Sequence, residues 1–161
     1  MGTLAKIALQ EIGLHPWPQL RDACGSAGHV ADALRELLDA ADPEEAERAY
    51  WKLENHVVVQ GQLYQAAESV VPVLLAALVD PCPRHVRISV MELLYQIVAA
   101  EPHESEVKQG NGALGEVCRD LATQGKWLLY RELIHGESKS ACDVLEMIEE
   151  RPDRISALRL G

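Results

Sequence analysis

The amino-acid sequence predicts an all-α protein, and three observations carry that expectation. Apolar residues recur at helical spacing along most of the chain, and no segment alternates with period two for long. Apolar character comes mainly from 22 Leu and 20 Ala, which lose little entropy in a helix, while Thr occurs only twice. The single β-branched cluster, Val57-Val58-Val59, ends a pattern that is helical up to that point, so essentially no sheet is expected.

Taken in order, Leu4 to Ile12 reads as a first helix, followed by the irregular stretch His15-Pro16-Trp17-Pro18. His29 to Ala41 forms a second around Val30, Leu34, Leu37 and Leu38. Asp42-Pro43-Glu44-Glu45 then combines an N-cap, a proline at the first helical position and an acid that completes a capping box. The helix it opens buries Ala46, Ala49, Tyr50, Leu53 and Val57, and Gly61-Gln62 closes the segment. Leu63, Ala67, Val70, Val71, Leu74, Leu75 and Leu78 form the next apolar face, with Pro72 expected to kink the helix and Asp80-Pro81-Cys82-Pro83 to turn the chain. Val86, Val90, Leu93, Leu94, Ile97 and Val98 trace the clearest face, bounded by Pro83 and Ala100. After a turn at Gly110-Asn111-Gly112 come a helix through Leu114, Val117, Cys118 and Leu121, a break at Gly125, and a helix through Trp127, Tyr130, Leu133 and Ile134 that stops at Gly136. Cys142, Leu145 and Ile148 keep helical spacing, and residues 152–160 add a final turn or two.

With 161 residues and 48% apolar content, the chain suffices for one domain over residues 1–161 with a real core. The net charge of −10 argues against a nucleic-acid partner, because binding a phosphate backbone requires Lys and Arg to displace counterions. Residues 1–80 carry −7 of that charge and residues 81–161 carry −3, so a basic protein partner would meet the N-terminal half first; a merely solubilising surface is the competing reading. Cys24, Cys82, Cys118 and Cys142 form no C-x-x-C pair and are read as reduced, half-buried core residues. No basic-then-apolar leader opens the sequence, and the longest apolar run, Val70 to Val79, is about half the ~20 residues needed to cross a bilayer. A cytoplasmic protein without membrane contact is expected.

The chain also matches itself at an offset of 40 residues. Tyr50-x-x-Leu53 recurs as Val90-x-x-Leu93 and as Tyr130-x-x-Leu133, and Val57-Val58 matches Ile97-Val98. Two helices per 40 residues is the period of HEAT and armadillo arrays, whose units bury their apolar faces by stacking. A compact irregular bundle with a chance match is the alternative. The segment Ala49-Tyr50-Trp51-Lys52-Leu53-Glu54-Asn55-His56-Val57-Val58-Val59-Gln60-Gly61-Gln62-Leu63-Tyr64-Gln65-Ala66-Ala67, followed by Val70-Val71-Pro72-Val73-Leu74-Leu75, resembles the bacterial HEAT-like repeat proteins. The resemblance is clearest over residues 43–100 and departs from a regular array at Gly110-Asn111-Gly112 and in residues 1–28, read as an irregular N-terminal cap. It implies a short α-solenoid of roughly three to four antiparallel helix pairs that binds other proteins. Some similar small members are immunity partners of secreted toxins, and the pattern is shared with adaptors and scaffolds.

Signals for chemistry are few. His15, His29, His56, His85, His103 and His135 never bring two imidazoles onto adjacent helical turns, so a metal site would have to be assembled from distant segments. Glu101-Pro102-His103-Glu104 reads as a solvated linker, and Gly25-Ser26-Ala27-Gly28 as an ordinary turn lacking the Lys and spacing of a P-loop. No nucleophile motif occurs. HEAT-like folds include DNA-repair glycosylases, but Glu44, Glu45, Glu47, Glu54 and Glu68 load this region with acid where such an enzyme needs basic surface.

The sequence reading is therefore a non-enzymatic binding module without cofactor or metal. It would be an immunity or inhibitor protein that occludes the active site of a basic toxin or enzyme, with an adaptor or scaffold capable of self-association as the alternative. Candidate partner-binding residues are the acids Glu44, Glu47, Glu54 and Glu68, and a polar ladder in which Asn55, His56 and Gln60 share a helix face with Lys52 and Gln96 is in register with His56. The aromatic anchors would be Trp51, Tyr64 and Tyr95. Packing of these aromatics between repeats, and an ordinary solvated helix face, are the competing readings.

Overall fold

A computed structural model describes residues 6–160, and along them the chain forms ten helices and five two-residue strands. Helix α1 (Lys6–Ile12) is followed by a 3₁₀ turn (Trp17–Gln19) and the hairpin β1 (Arg21–Asp22) and β2 (Gly25–Ser26). Next come α2 (Val30–Leu38), α3 (Pro43–Val57), β3 (Val58–Val59), β4 (Gln62–Leu63), α4 (Ala66–Ala77) and α5 (Arg84–Val98). The remainder is β5 (Glu101–Pro102), α6 (Glu104–Lys108), α7 (Leu114–Thr123), α8 (Lys126–His135), α9 (Ser138–Ile148) and α10 (Pro152–Leu160). Leu4 and Ala5, the start of the first expected helix, lie outside the described residues.

The caps explain why α3 is so well specified. Asp42 Oδ1 accepts the Glu45 N–H at 2.9 Å, and Glu45 Oε2 reaches back to the Ala41 N–H at 2.7 Å. The first bond satisfies a donor that the helix itself leaves unpaired, Pro43 at the first position has no donor to satisfy, and the second ties down the chain just before the cap. Helix α4 is apolar nearly all round, and eight of its residues are buried, as the interior position of such a helix requires. It continues through Pro72 as one helix. Among the described residues, no helix is long and apolar enough to cross a membrane.

The helices pack in two rows. In one, α1 lies against α4 and α4 against α7; in the other, α3 lies against α5 and α5 against α9. Contacts of α4 and α7 with α5 close the core between the rows, while α2 backs α3, and α8 and α10 back α9. The sequence offset maps the buried residues Tyr50, Leu53 and Val57 of α3 onto Val90, Leu93 and Ile97 of α5. The third copy, Tyr130 and Leu133, is buried on α8, but the helix that continues the row beside α5 is α9.

The strands differ from the expectation of essentially no sheet. Val58-Val59 leaves α3 and pairs antiparallel with Gln62-Leu63 through a two-residue turn in which Gln60 and Gly61 have φ of 51° and 77°. Two positive φ values define the type I′ turn, whose twist matches a tight hairpin. β4 also pairs parallel with β5, so the hairpin is latched to the chain after α5. Strands of two residues carry no alternating pattern, and their pairing is set by turn geometry and distant partners. Gly61→Ala meets nothing within 4 Å, so its cost is the left-handed conformation alone. It should lower stability by about 1 kcal/mol, read as a shift of the denaturant midpoint at constant slope. An unchanged midpoint would show that the turn does not hold this geometry in solution.

Two further differences concern the loops. Residues 101–104, read as a linker, supply β5 and the start of α6, where His103 Nδ1 accepts the Ser105 N–H at 3.1 Å as a cap. All four cysteines are free; Cys118 and Cys142 are buried and Cys82 is half-buried, but Cys24 is exposed in the β1–β2 turn rather than in the core. Burial pushes the Cys118 thiol up to about 12, which keeps it protonated and unreactive at neutral pH.

One buried charge ties this irregular side together. Glu106 of α6 is only 1% exposed and accepts hydrogen bonds from Arg21 Nε (3.0 Å) and Nη2 (2.7 Å), from Asn111 Nδ2 (2.9 Å) and from the Gln65 N–H (3.2 Å). It thereby joins β1, the start of α4 and the 110–112 turn. Burial alone would raise its pKa; the hydrogen bonds from Arg21, Asn111 and Gln65 outweigh burial and hold it below the ordinary carboxylate value.

Candidate functional site

A concavity lies between α3 and α5. On α3, Pro43, Glu47, Tyr50 and Trp51 follow at steps of four, three and one, and on α5 Arg84, His85, Ile88, Ser89 and Glu92 at steps of one and three, so each set occupies one face of its helix. Side by side, the two faces enclose a groove of about 500 Å³, within the size range of preformed binding sites. Trp51 is 47% exposed and Ile88 40% exposed, so apolar surface faces solvent from both walls.

Trp51 is held upright by its neighbours. Its ring meets that of the buried Tyr50 edge-on at 5.3 Å and 82°, and its indole N–H is directed at Glu47 Oε1 at 3.5 Å. On its other side is a second hollow of about 340 Å³, lined by Glu44, Glu47, Arg48 and Trp51, so the indole stands as a ridge between two depressions. An aromatic held this way offers large contact area at little further entropic cost.

The rim is acidic. Glu44, Glu47 and Glu92 border the two hollows; of the basic side chains there, Arg48 lines the second hollow, while Arg84 Nε donates to Glu137 Oε2 at 3.1 Å and His85 Nε2 donates to the Ala40 carbonyl at 2.7 Å. Tyr50 registers the same field. Its hydroxyl pKa is pushed above the ordinary tyrosine value, first by burial and then by the Glu54 and Glu92 carboxylates. The arrangement offers an apolar slot inside a negative frame, suited to an apolar side chain flanked by basic ones.

Of the residues singled out from sequence, Glu44, Glu47 and Trp51 come together here, and Glu54 lies beside Tyr50. The polar ladder is not assembled as one strip. Lys52 pairs with Glu36 of α2 at 2.7 Å, His56 lies against His29 with ring centroids 4.3 Å apart, Asn55 is exposed, and Gln60 occupies the hairpin turn. Tyr64 is half-buried and stacks on His103 at 4.9 Å, away from the groove-lining set. Tyr95 and Gln96 of α5 and Glu68 of α4 are half-buried and line neither hollow. Sequence reasoning missed the α5 wall. The signal that could have found it is Ile88, an apolar residue off the buried stripe of Val86, Val90, Leu93 and Ile97. No protein-family model, no curated protein and no solved structure matches this chain.

Proposed function

We propose that this chain is a non-catalytic protein-binding module, a short HEAT-like solenoid that neutralises a basic toxin or enzyme by covering its active site. The observation that carries the reading is the α3/α5 groove, where the half-exposed Trp51 stands within the frame of Glu44, Glu47 and Glu92. The two rows of helices and the α3-to-α5 offset support the solenoid part. The charge of −10 supports a basic partner, since a negative surface steers such a partner into encounter. Four free thiols accord with a reducing, cytoplasmic setting.

The test uses the tagged chain as bait at low salt, with elution along a salt gradient and assay of what elutes. A single basic protein in equal amount, whose activity the chain abolishes, is the expected result. A stoichiometric partner that is acidic, or that keeps full activity when bound, would overturn the neutralising role.

A second reading, as a self-associating adaptor, is favoured by α8. There Trp127 (62% exposed) and Ile134 (48% exposed), seven residues apart, face solvent together. Sedimentation at high concentration separates the two: a monomer disposes of self-association, and a dimer that Trp127→Ala dissolves supports it.

A further inference from the structure

We propose that Asp22, His29 and His56 form a binding site for a divalent transition-metal ion, zinc in the first instance, independent of the groove. The three residues come from β1, the N-cap of α2 and the last turn of α3. Each presents one ligand-type atom, and the three atoms all lie within 4.8 Å of one another. Two imidazoles and one carboxylate make a nitrogen-rich, borderline-soft donor set, which suits zinc and its neighbours and not calcium or magnesium.

The carboxylate is poised as a ligand. The Asp22 side chain is fully buried; its Oδ1 accepts the Cys24 N–H at 2.9 Å, while its Oδ2 accepts no hydrogen bond although it is out of contact with water. A buried carboxylate oxygen without a partner costs free energy unless something positive meets it. His29 Nε2 lies 3.1 Å from that oxygen, an ion pair when the imidazole is protonated but not directed as a hydrogen bond, so a neutral imidazole leaves the oxygen to a cation. Two ligands of a tetrahedral zinc, each 2.0–2.1 Å from the metal, are about 3.3 Å apart, so this edge already has the spacing of a loaded site.

His56 is oriented for the same purpose. Its Nδ1 bonds the Lys52 carbonyl, and because a carbonyl oxygen only accepts, the proton sits on Nδ1 and leaves the Nε2 lone pair for a metal. This is the usual outer support of a metal-bound histidine, supplied here by the preceding turn of α3. The backbone holds the carboxylate to the same place: the Ala23 N–H donates to the His56 carbonyl at 2.8 Å, fastening the β1–β2 hairpin to the end of α3. The two imidazoles meet edge-on with centroids 4.3 Å apart. His29 is about half exposed and His56 half-buried, so both can make the small rotations that close the remaining edges, and coordination stays open toward solvent for a water or a partner's donor. Trp51 and His56, five residues apart on α3, point to different sides of that helix, so loss of metal binding and loss of groove binding are separable.

The experiment is calorimetric titration of the purified chain with Zn(II) alone, accompanied by visible absorption with Co(II), whose ligand-field bands report a low-coordinate nitrogen–oxygen site. One equivalent of metal per chain is expected. Affinity should fall at least tenfold in Asp22→Asn, His29→Ala and His56→Ala, and remain unchanged in His135→Ala, an exposed histidine elsewhere. Asp22→Asn keeps the acceptor for the Cys24 N–H and so isolates ligation from folding; circular dichroism of each apo variant checks this, and Asp22→Asn decides if His56→Ala does not fold. No saturable equivalent in the folded wild type would overturn the site. So would wild-type affinity in Asp22→Asn, or binding that survives in Asp22→Asn and disappears on thiol alkylation, which would assign the metal to cysteines.

Discussion

Glu106→Ala is expected to cost about 3 kcal/mol of folding stability. The carboxylate accepts four hydrogen bonds from three segments, and removing it takes the acceptor from the half-buried Gln65 N–H and Asn111 amide as well as from Arg21. Arg21 remains about a third exposed and can be rehydrated, which places the loss at the lower end of the range for broken buried pairs. Denaturant unfolding should show the midpoint falling at constant slope; a midpoint within a few tenths of a kcal/mol of wild type would contradict the role given to this network. The pH dependence follows from the same residue. Because its folded pKa lies below its unfolded value, the contribution is fully present above the unfolded carboxylate range and is lost as pH falls through the folded pKa. Glu106→Gln should therefore flatten the acid limb of the stability profile below about pH 5, leaving the neutral limb parallel to wild type.

Trp51→Ala carries the second large effect, and it falls on binding rather than on folding. The indole is nearly half exposed and packs on Tyr50 without closing the core, so thermal stability should change little. Affinity for the groove's occupant should fall by about 2 kcal/mol, roughly thirtyfold, as for a central aromatic anchor. Equilibrium titration beside thermal unfolding separates the two outcomes. Wild-type affinity in a folded Trp51→Ala protein would remove the groove from the functional account.

What could be read from the chain divides along the distance over which each feature is specified. Helices α3 and α5 were legible because their signals are local: a capping box at Asp42, a proline turn at Pro83, and apolar residues at steps of three and four. The β3–β4 hairpin was not, since Val58-Val59 continues a helical pattern and only the positive φ at Gln60 and Gly61 turns it back. Nothing local marks Glu106 as a buried acid, because its partners lie 41 and 85 residues away at Gln65 and Arg21. Half of the groove was visible in the acids and the tryptophan of α3. The other half depends on α5 lying alongside, which no local pattern states. Asp22, His29 and His56 share no motif at all, and only the hairpin's attachment to the end of α3 brings them into range.

The proposed role of the groove is tested most directly by the association kinetics of the chain with the protein that the bait experiment recovers, measured across ionic strength for wild type and Trp51→Ala. Steering by the acidic frame requires an on-rate that falls steeply with salt, and anchoring by the indole requires a faster off-rate in the variant with the on-rate nearly unchanged. An on-rate indifferent to salt, together with a wild-type off-rate in Trp51→Ala, would mean that the partner binds elsewhere on the molecule.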